Sequence, residues 1–144
     1  MKWGHEEWGV VGTIDAKDQN NQSGVLSDAI DMSKWSELMC ILNCGNVDNA
    51  IDLKLTEAST SGGAYSDIAG KAITQLAAHA TNNDGKVCII SLKAEELGAG
   101  KQFVKASLTV GNGTSNPVCV ILLGRARYKP ATDDDLADVA QVVS

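Results

Sequence analysis

Apolar residues fall on alternate positions through most of this chain, and short clusters of Gly, Asn, Asp and Ser interrupt them. That is the period of half-buried β-strands. "QFVKASLTV" puts Val104, Ala106, Leu108 and Val110 on one face, with Phe103, Lys105, Ser107 and Thr109 on the other. The loop "GNGTSNP" follows and leads into "VCVILLGRARY", which reads as its antiparallel hairpin partner. "IDLKL" sends Ile51, Leu53 and Leu55 inward and Asp52 and Lys54 outward, and "TSGGAYSDIAG" turns the chain, with Gly62 and Gly63 expected to supply positive φ. Asp84-Gly85 is a hairpin signal just ahead of "KVCIISLKA". About eight strands are expected, near residues 8–14, 25–32, 36–46, 50–57, 64–76 (bent or split), 86–94, 102–110 and 117–128.

Short strands, frequent turns and no long helical period predict an all-β chain, an antiparallel β-sandwich of jelly-roll type rather than an immunoglobulin-like one. The organisation reads as an extended N-terminal arm at 1–7, a sandwich at 8–130 and an acidic C-terminal segment at 131–144. Within that last segment Leu136, Val139, Ala140 and Val143 carry helical spacing, and Thr132 or Asp133 would cap an acidic first turn. A short helix and an extended arm both fit it.

Three strands depart from one-sided alternation. "ELMCILNC" has Leu38, Cys40, Leu42 and Cys44 on one side but Met39 and Ile41 on the other. "VCIISL" sets Cys88, Ile90 and Leu92 against Val87 and Ile89, and "VCVILL" sets Val118, Val120 and Leu122 against Cys119, Ile121 and Leu123. An antiparallel sandwich strand needs only one apolar face. The second faces therefore call for a cover, either a segment of the same chain or another subunit.

Composition narrows the function classes. The 144 residues carry a net charge of −6, and the twelve basic residues are scattered, so no basic stripe points to nucleic acid. After Lys129 come four Asp and no base, a tail suited to a basic partner. No apolar run approaches a membrane span, and "MKWGHEEWGVVG" lacks a signal-peptide core, so a soluble chain made in a reducing cytoplasm is expected. Cys40, Cys44, Cys88 and Cys119 sit in apolar runs without metal-site spacing and read as buried thiols.

No catalytic, cofactor or metal residue emerges. His5 and His79 have no nucleophile motif around them, and "GAGKQ" has Glu95 where a phosphate loop needs its first Gly and Gln102 where it needs Ser or Thr. "DQNNQSG" matches a calcium loop only superficially, with Ala29 in place of the bidentate Glu. Asp133, Asp134 and Asp135 suit a helix start better than a cation. What remains is a candidate interface: Trp3 and Trp8 near the N-terminus, Met39, Ile41, Val87 and Ile89 on the second faces, and Leu136, Val139 and Val143 in the C-terminal segment. For Trp8 the competing expectation is core packing.

Taken together, "AYSDIAGKAITQL", "LKAEELGAGKQFVKASLTVG" and "GRARYKPATDDDLADVAQVV" resemble jelly-roll cement (decoration) proteins of tailed-bacteriophage capsids. The resemblance covers roughly residues 25–143 and rests on strand and turn phrases. It implies a non-enzymatic virion protein, made in the host cytoplasm, that binds the capsid exterior and bridges subunits of the major capsid protein. It also implies a homo-oligomer, dimer or trimer, with no cofactor, nucleic acid or membrane partner. A head–tail connector or tail structural protein, or a carbohydrate- or receptor-binding sandwich presenting Tyr65 and Tyr128, are the alternatives.

Overall fold

The computed structural model describes residues 4–19, 21–77, 85–128 and 139–143, with no account of the His5 and Glu6 side chains. One helical turn, α1 (Gly4–Glu7), leads directly into the first strand, so the described part of the N-terminal segment is wound rather than extended. Among the described residues nine strands follow: β1 (Trp8–Asp18), β2 (Gln22–Leu26), β3 (Ile30–Asp31), β4 (Trp35–Cys44), β5 (Ile51–Ala58), β6 (Ser66–Ala72), β7 (Val87–Lys93), β8 (Phe103–Val110) and β9 (Pro117–Ala126). A 3-10 turn, Ala94–Glu96, lies between β7 and β8.

The strands form two antiparallel sheets. One has four strands in the order β1-β9-β4-β7, and the other has the order β2-β8-β5-β6 with β3 also paired to β8. The pairs β1–β9, β2–β8, β4–β7 and β5–β6 nest around the β5–β6 turn, as the arms of one long hairpin would. Rolling that hairpin up creates the remaining contacts, β4–β9 and β5–β8. This is jelly-roll topology, and it agrees with the architecture the alternation predicts.

Alternation places the core. Leu38, Cys40, Leu42 and Cys44 from β4 meet Leu53 and Leu55 of β5 and Val104, Ala106 and Leu108 of β8 in one cluster, each at most 2% exposed. Trp35, at the start of β4, fills the end of the sandwich and lies flat on Gly124 of β9. A β-carbon at Gly124 would stand 2.7 Å from the indole and 2.9 Å from Val11, which is why this position has none. Where β2 gives way to β3, Ser27 holds the ladder. Its backbone N–H donates to Ala106 O, and its hydroxyl accepts from Ala106 N at 2.9 Å.

Several local expectations are corrected. β8 and β9 are not a hairpin: they lie in different sheets, and "GNGTSNP" carries the chain across the sandwich. A polar network anchors the crossing. Asp48 accepts from the backbone of Thr114 and Ser115 and from the Thr114 hydroxyl, and buried Asn116 accepts from Asn49 N at 3.0 Å. Packing there is close enough that a β-carbon on Gly111 or Gly113 would collide with Asn49 or with Asn116 and Asp48. β6 and β7 also belong to different sheets, so they are not the two arms of a hairpin. Asp84 lies outside the described residues, while Gly85 does take a left-handed φ of 67°.

The β5–β6 hairpin does form, but Gly62 and Gly63 are not among its positive-φ residues. Gly63 is needed for space instead, because a β-carbon would sit 2.7 Å from the Thr60 hydroxyl. The split expected in residues 64–76 is real: pairing slips between Lys54 and Thr56, Gly70 takes φ 74°, and contact resumes as a bridge from Leu76 to Ile51. Cys40 and Cys44 are buried free thiols, whereas Cys88 and Cys119 are only half-buried. The apolar runs around the last two do not bury them, because β7 is an edge strand and Cys119 points to the outer face of its sheet.

Candidate docking surface

Strand register assembles the second faces of β4, β7 and β9 into one surface. Across the four-stranded sheet Thr13, Ile121, Ile41 and Ile89 stand in a row, with Ile41 directly opposite both Ile89 and Ile121. The next row holds Val10, Leu123, Met39 and Ser91, and the row on the other side brings Cys119 and Val87 to either side of Asn43. Neighbouring strands are about 4.8 Å apart, so the apolar band is about 15 Å wide. Val87, Ile89 and Ile121 are 55%, 57% and 41% exposed, while Met39, Ile41, Val10 and Leu123 are half-buried by their neighbours.

Covering the exposed parts of Val87, Ile89 and Ile121 alone would return about 2 to 5 kcal/mol at the usual value for burying an aliphatic side chain. No strand among the described residues packs over this band. One end is bounded by charge: Trp8, Arg125, Glu37 and Lys93 make the next row, where Arg125 and Glu37 form an ion pair at 3.6 Å. An apolar centre with a polar rim is the anatomy of a protein–protein contact.

Trp8 belongs to this surface and not to the core. It is half-buried and helps line a hollow of about 340 Å³ with Glu37, Met39, Lys71, Lys93 and Glu96. Lys71, on β6 of the opposite sheet, reaches into the hollow and meets Glu96 at 2.9 Å. Glu96 also accepts from Lys93 N at 2.7 Å, and these contacts, that backbone donor first, hold its carboxyl below the ordinary value.

Of the residues expected at an interface, the structure therefore unites Met39, Ile41, Val87 and Ile89 on one face, with Trp8 at its rim. The stretch Val139–Val143 has no regular structure, with Val139 half-buried and Val143 88% exposed. Trp3 and Leu136 lie outside the described residues. Ile121 and Leu123 complete the surface and were legible in the two-sided run "VCVILL". Val10 was not, because pairing shifts between Val10 and Gly12 interrupt the alternation of β1.

Chemistry is sparse. Among the described residues no group of three His, Cys, Asp or Glu side chains converges as a metal site, and no helix is long and apolar enough to cross a membrane. Glu57 folds onto "GAGKQ" and accepts from Gly98 N at 2.9 Å, so a carboxylate occupies the backbone donor that an anion would use. Tyr65 is engaged too: its hydroxyl donates to Ser61 O, and Lys105 sits 4.8 Å from its ring centre. Tyr128 is 80% exposed. Comparison with known proteins finds no matching family model and no matching curated sequence.

Proposed function

We propose that this chain is a non-enzymatic structural protein of the virion, a cement protein that attaches to the outside of a bacteriophage capsid and bridges neighbouring coat subunits. One observation carries the reading: the outer face of the four-stranded sheet is an apolar band, centred on Ile41, Ile89 and Ile121, with a charged rim. An exposed apolar patch commonly marks a place where another molecule docks, and a subunit held against a lattice needs such a face. The jelly-roll topology and the resemblance of the strand and turn phrases to decoration proteins support the same reading. Attachment at many equivalent lattice sites would let a modest contact hold each copy firmly.

The reading is tested on purified heads of the phage that encodes the chain. Mass spectrometry should find it at a fixed ratio to the major capsid protein, and recombinant chain added to heads stripped of it should rebind. Ile41→Lys with Ile121→Lys should abolish rebinding while the variant stays folded. Absence of the chain from the heads would end the proposal.

A further inference from the structure

A second hollow, of about 260 Å³, lies where the β3–β4 turn, the 3-10 turn and the end of β9 meet. Its apolar lining is Met32, Ala94 and Leu97, and its polar lining includes Ser33, Lys101 and Arg127. Arg127 is fixed before any ligand arrives. Its backbone N–H donates to Lys34 O at 2.9 Å, and its Nε–H donates to Met32 O at 3.3 Å and to Trp35 O at 3.2 Å. These bonds hold the guanidinium by one edge and leave its terminal nitrogens without a partner among the described residues. Lys101 reaches the same hollow from a turn closed by its own N–H, which donates to Gly98 O at 2.9 Å, and permitted by Gly100 at φ 74°. Its ammonium forms no ion pair among the described residues. No carboxylate is among the lining residues described. Of the neighbouring acids, Asp31 accepts from Ser33 N at 3.0 Å and Gln102 Nε2 at 2.9 Å, Glu96 is held by Lys93 N and Lys71, and Glu95 is exposed.

We propose that this hollow takes the carboxylate of an acidic side chain, flanked by an apolar residue, from an acidic segment of a partner protein. A guanidinium held in one plane meets a carboxylate with two parallel hydrogen bonds, and Lys101 adds a second positive charge. Buried Met32 and half-buried Ala94 and Leu97 give the stem of the acidic residue, or its apolar neighbour, a surface to cover. Size and charge select this occupant. The volume lies below the roughly 300–1,000 Å³ of sites that enclose a small molecule, so the ligand is one side chain on a larger body. A nucleic acid would bring many negative charges to a chain whose own net charge is −6 and would find only a local basic spot there. A single carboxylate fits both limits. This contact uses the end of the sandwich and not the face of its sheet, and it does not rest on the capsid reading.

The test is an NMR titration of the full chain with N-acetyl-Leu-Glu-Leu amide at millimolar concentration. It is read at the Arg127 Nε–H and at the backbone amides of Ser33 and Gln102. Saturable shifts at these groups are expected. The Leu-Gln-Leu peptide, which keeps the shape and loses the charge, should bind at least about tenfold more weakly. Arg127→Lys keeps the charge but not the planar fork and should weaken the Glu peptide at least about tenfold. Lys101→Met, at a side chain that makes no bond in the free chain, should weaken it about fivefold and serves if Arg127→Lys does not fold. Inorganic phosphate, the remaining arm, should bind more weakly than the Glu peptide. No saturable shift, equal binding of the Glu and Gln peptides, tighter binding of phosphate, or unchanged binding in the folded variants would overturn the proposal. The capsid reading is judged separately, on heads rather than on the free chain.

Discussion

Ile89 and Ile90 are neighbours on β7, chemically identical and opposite in environment. Ile90 points into the sandwich and is 7% exposed, whereas Ile89 points out and is 57% exposed. Truncating each to alanine compares the two faces of the sheet on one strand. For Ile90 the loss includes nearly the whole side-chain burial plus the cavity left among Cys40, Leu42 and Leu92, and a buried Ile→Ala change costs about 2–5 kcal/mol. For Ile89 only the covered two-fifths of the side chain counts, which at about 1.5–3 kcal/mol for full burial leaves about 1 kcal/mol. Urea unfolding of both variants, followed by tryptophan fluorescence at low protein concentration, gives the two differences on one scale. The ratio should be about threefold with unchanged m. An Ile89→Ala loss equal to that of Ile90→Ala would refute the reasoning, because Ile89 would then be covered by its own chain.

Other positions give independent checks. Gly124→Ala forces a methyl against the Trp35 indole and Val11, so it should destabilise by about 1–3 kcal/mol, as overpacking does, and shift Trp35 emission. Burial pushes the Cys40 thiol up to about 12. Iodoacetamide at mildly alkaline pH should therefore alkylate half-buried Cys119 in the native protein and reach Cys40 only on unfolding, read by peptide mass spectrometry. Glu96 titrates below its ordinary 4.5 because Lys93 N–H and Lys71 hold the charged form. Its stabilising contribution is thus complete above that value and lost as pH falls through the lower folded value. NMR should place the Glu96 midpoint below 4.5 in the wild type and closer to it in Lys71→Ala.

Alternation made the inner faces readable. Leu38 to Cys44 on β4, Ile51 to Leu55 on β5 and Val104 to Val110 on β8 all point where their period places them. Strand pairing was another matter. Period two encodes which face a residue takes but not which strand lies beside it, so consecutive β8 and β9 read as a hairpin although a jelly roll separates them. What sets "GNGTSNP" apart from a tight turn shows only in the folded chain. Its Asn116 is buried and tied to Asn49, Gly111 and Asp18, contacts that a free two-strand turn has no reason to make.

The docking surface was half legible. A strand apolar on both sides announces itself, as β4, β7 and β9 did. Whether three such faces merge depends on register, and register put Ile121, Ile41 and Ile89 in one row. Val10 stayed hidden because the bulge in β1 breaks its alternation. The Lys71–Glu96 pair had no local signal at all, since Lys71 comes from the opposite sheet and meets Ser91 and Glu96 only once the sandwich has closed.

The most direct measurement of the proposed function is a cryo-EM reconstruction of the phage head proposed to carry this chain, at a resolution where side chains are traced. Coat-protein density packed against Met39, Ile41, Ile89 and Ile121 is the expected result. A bound sandwich that turns this face to solvent and touches the shell by other surfaces would contradict it.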